Sequence, residues 1–198
     1  MTRSRQTADW GSRAGLAKIV PSSVAVGSGT GSADSLGTVT FTGASSVSLN
    51  GVFSSTYDNY VFVVNLTSVT TDNDSFIRLR TGGTDNTASV YGGAVSYMNS
   101  ASSSGSASFG ATQSYWTTQY MASAHTAGEF IMNIFNPYLA RQTGATGHQV
   151  RHNSSSTGDV ESRLGSFVHG AATSFDSLTY GRATGTATGT IQIYGYTK

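Results

Sequence analysis

Two histidines four residues apart, His148 and His152, are the pair whose types and spacing come nearest to a metal site. On a helix that spacing puts both imidazoles on one face. The segment Gly147-His148-Gln149-Val150-Arg151-His152 alternates like a strand, however, where residues four apart lie about 13 Å from each other, too far for one ion. Structural polar histidines are therefore expected here, and His125 and His169 complete the set of four. The D-x-D spacing in Thr71-Asp72-Asn73-Asp74-Ser75 suits calcium through oxygen ligands. It suits equally a turn in which Asp and Asn bond their own backbone. Cysteine is absent, which excludes disulfides and thiolate metal sites. Neither a metal nor a cofactor is expected.

Catalytic patterns are missing. Glutamate occurs only at Glu129 and Glu161, beside eight aspartates, and no pair of carboxylates sits in a motif that makes an acid/base dyad. Hydrolysis of a glycoside needs two of them about 5 to 10 Å apart. No nucleophile elbow, P-loop or dinucleotide fingerprint is present, so the glycine-rich tracts read as turn chemistry. A non-enzymatic protein is expected. The stronger recognition signal is aromatic: Tyr91, Tyr97, Tyr115, Trp116 and Tyr120, interleaved with Gly and Ser. Such rings stack on sugar faces or anchor protein interfaces, and the same residues suit a core. Arg78 and Arg80 alternate with Ile77 and Leu79. That pattern makes a guanidinium face for an anion or glycan, or else a solvated strand face or an intersubunit salt bridge.

The elements that must position these residues are strands. Short runs rich in Val, Phe, Tyr and Thr, separated by Gly, Asn, Asp and Ser, predict strands at 38–41, 46–49, 60–66, 75–81, 89–98, 108–114, 129–136, 148–152, 160–168, 174–180 and 186–196. About ten strands and no helix of more than two turns predict an antiparallel β-sandwich. Tyr60, Phe62, Val64 and Leu66 share one face by the two-residue period. Phe130, Met132 and Ile134 do the same, while Ile131 and Phe135 make the opposite face apolar, so that strand is expected at the centre, covered on both sides. A substitution Phe62→Asp is expected to unfold the protein.

The N-terminus reads differently. Residues 1–35 are expected to form an extended basic, Gly/Ser-rich arm and residues 36–198 the sandwich. The first twenty residues carry Arg3, Arg5, Arg13 and Lys18 against Asp9, a net +3, while the rest of the chain nets −2. A tail docking on something acidic is the implied role. Within the arm, 4–10 or 13–19 suits a short helical turn when docked, and 27–32 reads as a flexible connector. The near-neutral body disfavours nucleic acid, although the arm suits phosphate contacts. No apolar run is long enough to insert in a membrane.

The wording of the chain resembles minor structural proteins of tailed bacteriophages. The similar passages are Val20-Pro21-Ser22-Ser23-Val24-Ala25-Val26-Gly27-Ser28-Gly29, Gly37 to Asn50, Phe53 to Tyr60 and the closing Gly189-Thr190-Ile191-Gln192-Ile193-Tyr194-Gly195-Tyr196, spread from near the start of the chain to its last strand. The opening Ser4-Arg5-Gln6-Thr7-Ala8-Asp9-Trp10-Gly11 resembles virion-anchoring starts of phage fibre proteins. The resemblance implies a jelly-roll-like sandwich that forms a homotrimer in the virion, with Arg3, Arg5, Trp10 and Arg13 anchoring it to other virion proteins. It implies a minor tail or short fibre component that presents the sandwich for host attachment. The alternatives are a capsid decoration or head-fibre protein, or a carbohydrate-binding module that recognises host surface glycan through the aromatic cluster.

Overall fold

The computed structural model describes residues 15–99, 104–123, 127–153 and 159–197. Among them the protein is all-β and antiparallel, a two-sheet sandwich. The larger, ten-stranded sheet is centred on β6 (Asn59–Val69), β12 (Gly128–Phe135), β13 (Arg141–Asn153) and β14 (Asp159–Thr173). It runs outward through β9 (Tyr91–Asn99) to β10 (Ser104–Gln113) on one side. On the other side it runs through β16 (Ala187–Tyr196) and β4 (Val39–Ala44) to β3 (Thr30–Ala33), with β1 (Leu16–Lys18) added to β16. The smaller sheet holds β11 (Trp116–Met121), β7 (Asn73–Thr81), β15 (Ser177–Arg182), β5 (Ser46–Asn50) and β2 (Ser23–Val26) in that order, with β8 (Thr84–Asp85) beside β7.

The alternation read in the sequence supplies the core. Tyr60, Phe62, Val64 and Leu66 of β6, with Phe130, Met132 and Ile134 of β12, are all buried against Ile77, Leu79, Leu178 and Tyr180 of the smaller sheet. The Tyr180 ring lies 6.1 Å from Phe62 and 6.4 Å from Phe41. Its hydroxyl exchanges a 2.8 Å bond with Ser75 and donates to Gln119. Burial raises this phenol to about 12, against the opposing pull of Ser75 and Arg182. Further along, glycines make room for rings: a Cβ on Gly147 would stand 2.8 Å from Phe130, and one on Gly165 2.5 Å from Phe167. Both phenyl rings therefore lie flat across the inner face of the large sheet.

Three expectations are corrected. Residues 16–33 belong to the sandwich, because β1 pairs with β16, β2 with β5 and β3 with β4. The boundary at residue 35 thus falls after three sheet strands, and Leu16–Lys18 is a strand rather than a helical turn. The glycine-rich 27–32 stretch is not a flexible connector: it carries the chain from β2 in the smaller sheet to β3 in the larger one and includes the first three residues of β3. At Gly29 φ is +69°, and a Cβ would meet the Thr42 carbonyl at 2.1 Å. Lastly, β12 is central but covered on one side only: Ile131 is 47% and Phe135 36% exposed. Sixteen strands are present among the described residues, the additional ones being β1, β2, β3, β8 and β11.

Two measurements test this core. Phe62→Ala is expected to cost about 3 to 5 kcal/mol in urea unfolding, since the ring is fully buried. The second concerns His169, buried edge-on between Tyr91 at 4.6 Å and Phe175 at 4.8 Å, with Nε2 unpartnered. Burial holds its imidazole below the ordinary 6.5, only partly offset by the Ala171 carbonyl. The unfolded chain therefore binds the proton more readily. Stability is full above the unfolded value and falls as pH drops below it. His169→Gln is expected to flatten that part of the stability profile.

Candidate functional site

The five candidate aromatics separate into three environments. Tyr91 and Trp116 are core residues. The Tyr91 hydroxyl accepts from the Leu79 amide at 3.0 Å and donates to the Asn86 carbonyl at 3.0 Å, filling the gap that β7 presents between β8 and β11. Burial raises that phenol strongly, which keeps it a neutral donor. Trp116 packs edge-on against Tyr91 at 5.7 Å and donates its indole N–H to the Val168 carbonyl at 2.9 Å. Neither ring is available to a glycan. Tyr115 lies apart, 5.1 Å from Phe76, with the Arg78 guanidinium 4.9 Å over Phe76 and 5.5 Å over Tyr115.

Tyr97 and Tyr120 do come together, around Arg163. Pairing register explains why. Arg163 stands beside Tyr97 of β9 and Gln149 of β13, Arg151 stands beside Glu161, and Tyr120 of β11 stands beside Asp74 of β7. Period two then turns Tyr97, Gln149, Arg151, Glu161 and Arg163 to the inner face, opposite Tyr120 and Asp74. The Gln149 amide ties the sheets, its Oε1 accepting from the Tyr120 N–H at 3.1 Å and its Nε2 donating to the Tyr120 carbonyl at 2.6 Å.

A charged network fills this end of the sandwich. Glu161 accepts from Arg151 at 3.0 Å (Nε) and 2.5 Å (Nη2), and from Arg163 Nε at 2.6 Å. Burial works to raise the Glu161 carboxyl, but the bonds from the two arginines outweigh it and hold the group below its ordinary value. The guanidinium of Arg163 lies 5.0 Å from the Tyr120 ring centre and 5.5 Å from that of Tyr97, and Arg151 lies 4.7 Å from Tyr120. Asp74 is looser, its Oδ1 3.6 Å from Arg163 Nη1. Burial raises the Asp74 carboxyl, against opposing pulls from Arg163, Arg182 and Arg151. Between these groups lies a cavity of about 210 Å³, lined by Asp74, Tyr97, Thr117, Thr118, Tyr120 and Arg163.

The other sequence candidates find intrachain partners. Arg80 pairs with Asp85 at 3.2 Å and Arg78 approaches the same carboxylate at 3.8 Å, so the guanidinium face is closed by the β7–β8 hairpin. Asp72 accepts from the amide and hydroxyl of Ser123 at 2.6 and 2.8 Å, while Asp74 faces Arg163, so the D-x-D pair diverges. No group of three metal-ligating side chains occurs among the described residues. His148 meets the Ser162 hydroxyl at 3.0 Å on the outer face. Glu129 is exposed on the outer face and Glu161 buried on the inner, so the two glutamates do not converge. Arg3, Arg5, Trp10, Arg13 and the His152 side chain lie outside the described residues.

A second surface is the outer face of the same sheet. Register lines up Ser106, Ser96, Leu164, His148, Ile131 and Val63 across six strands. Around that row Met98 is 59%, Leu164 50%, Val150 37% and Val168 36% exposed. The curl of the sheet makes this face a shallow trough of about 740 Å³ with Leu164, His148 and Ile131 among its lining residues.

Glu161 is the member whose loss the network tolerates least. Glu161→Gln leaves two largely buried guanidinium groups without their shared counter-charge, and is expected to cost about 3 to 5 kcal/mol in chemical denaturation. Comparison with known proteins returns no matching family model, no matching curated protein and no matching solved structure.

Proposed function

We propose that this chain is a non-enzymatic structural protein of a tailed-bacteriophage virion, a minor tail or short fibre component that works as a homotrimer. The observation that carries the reading is the open outer face of the large sheet. Soluble monomers rarely leave a wide apolar face uncovered, and here Ile131, Leu164, Val150, Val168, Met98 and Phe135 share one. Five strands at about 4.8 Å spacing and about nine residues at 3.3 Å span roughly 700 Å², close to the roughly 800 Å² that each partner contributes to a standard stable interface. The occupant is another copy of the chain. Among the described side chains of this face, Glu129 and His148 are the ionisable ones and the rest are uncharged. A charged partner gains nothing from such a surface, whereas a neutral one is complementary to itself under closed symmetry. Three-fold closure follows from the resemblance to phage structural proteins, as does anchoring to other virion proteins through Arg3, Arg5, Trp10 and Arg13.

The placement of β1 to β3 decides how to test it. A truncation at Asp34 removes three sheet strands and bares the edges of β16, β4 and β5, so the informative truncation begins at Gly15. The full chain and this shorter version are both expected to show trimer mass by light scattering at micromolar concentration. The pair Ile131→Lys and Leu164→Lys is expected to give a folded monomer, because neither residue contributes to the inner core. Removal of residues 1–14 is expected to abolish incorporation into particles without changing the mass. A wild-type monomer, or a trimer indifferent to both lysines, overturns the assigned face.

A further inference from the structure

We infer that the cleft between Tyr97, Tyr120, Asp74 and Arg163 binds one ring of a neutral saccharide. The inference gives the host-attachment part of the proposed function a site, and it rests on the cleft's own chemistry. Tyr97 and Tyr120, both half-buried, stand on opposite sheets at the cavity. Arg163 lies over both rings, 5.5 Å from the centre of Tyr97 and 5.0 Å from that of Tyr120, and Gly105 packs on Tyr97, so the two tyrosines act as walls of the cleft rather than as open stacking faces. Between them a donor and an acceptor converge. Asp74 is 40% exposed at its side chain and stands 3.6 Å from Arg163 Nη1, beyond hydrogen-bonding distance, so its carboxylate retains acceptor capacity. Arg163 commits its Nε to Glu161 and directs its Nη1 side toward Asp74. A carboxylate beside a guanidinium matches two adjacent sugar hydroxyls, one donating to Asp74 and one accepting from Arg163. Thr117 adds a hydroxyl at the wall, while that of Thr118 is already bound to the Ser75 carbonyl at 3.2 Å.

Size and charge fix the ligand class. The cavity of about 210 Å³ falls below the roughly 300 to 1,000 Å³ of pockets that enclose drug-sized ligands. It admits a single ring, with the rest of a glycan outside. Asp74 opposes a carboxylate, sulfate or phosphate entering beside Arg163, so an uncharged sugar is favoured over an acidic one. The contrasting geometry of the two carboxylates supports the assignment: Glu161 is held at hydrogen-bond length by both arginines and sustains the fold, whereas Asp74 is held by neither.

The test is titration of the full-length protein with the methyl glycosides of glucose, galactose, mannose, rhamnose and N-acetylglucosamine, followed by NMR. At least one sugar is expected to bind at millimolar concentration and to shift Tyr97, Tyr120 and Arg163 resonances. Asp74→Ala and Thr117→Val, each checked for an unchanged thermal midpoint, are expected to weaken that sugar, the first by about tenfold or more. No binding by any of the five, or shifts confined to residues outside the cleft, overturns the site irrespective of how the variants fold. So does a folded Asp74→Ala that binds like wild type. A wild-type trimer that binds none of the sugars counts against the cleft alone, and a wild-type monomer that binds sugar counts against the assembly alone.

Discussion

The register between β6 and β12 is the constraint on which the rest depends. Met132 pairs with Phe62 and Ile134 with Tyr60, so the buried sets of both strands fall on one side. The same register passes through β13 and β14 to β9. Because side chains alternate strictly, a slip of one residue anywhere along this series would turn an apolar set to solvent. It would also turn Arg151, Glu161 and Arg163 outward and dismantle the charged end. The core, the open face and the cleft are therefore three consequences of one pairing scheme. Glycine helps fix that scheme, since Gly147 and Gly165 leave room for only the Phe130 and Phe167 rings above them.

Two adjoining regions of the sandwich, which meet at the Ser75 hydroxyl, are held by different physics. Around Phe62 and Tyr180, apolar burial dominates, and the polar atom present, the Tyr180 hydroxyl, is bonded to Ser75 and Gln119. Around Glu161, ions are removed from water, and such an arrangement holds only when each charge meets hydrogen-bonding partners. Glu161 meets two arginines, and Arg182 reaches the carbonyls of Thr71 and Met121 and the hydroxyl of Ser75. The arginine planes also lie on tyrosine rings, which lowers the cost of drying them. A network of this kind specifies where β11 sits over β13 and β14 more sharply than aliphatic packing does, because a guanidinium satisfies its donors in few geometries.

Much of the fold was legible because the central strands carry the two-residue period without interruption. Segments 46–49, 60–66 and 75–81 lie within β5, β6 and β7, and 38–41 overlaps β4. The missed strands have physical reasons. Thr30–Ala33 reads Thr-Gly-Ser-Ala, which is turn composition by propensity; it becomes a strand because the β4 edge offers hydrogen bonds and Gly29 takes the left-handed corner. The strand β11 was hidden inside the aromatic stretch, where Trp116 and Tyr120 looked like a recognition surface. Of that stretch, Tyr91 and Trp116 are core and Tyr97 and Tyr120 line the cleft, a division set by register rather than by residue type. Arg151, Glu161 and Arg163 gave a weaker signal, charged residues two apart on strands. Their convergence depends on pairing between segments distant in sequence, which period alone does not supply. Ile131 was read correctly as the start of an apolar second face, but no other part of the described chain covers it.

Alternation separates most of the two surfaces on β9 and β14, although Val95 and Ala107 belong to the linings of both. On β14, Leu164 and Ser166 face outward and Arg163 inward; on β9, Ala94 and Ser96 face outward and Tyr97 inward. A copy packed on the outer face therefore contacts the backs of the same strands whose inner side chains line the cleft. The outer trough and the cleft share Val95 and Ala107 in their linings, so a copy seated on the outer face would reach the wall of the cleft. In the proposed assembly it would also stiffen β9 and β14, and a cleft built on rigid strands loses less entropy when a ligand enters. In the proposed trimer the three clefts would be fixed relative to one another, and a weak single-ring site would gain through effective concentration on a repetitive glycan surface. A cavity of about 210 Å³ makes little sense as a high-affinity site for one free sugar. In the proposed trimer it would serve as one of several identical contacts held at fixed spacing.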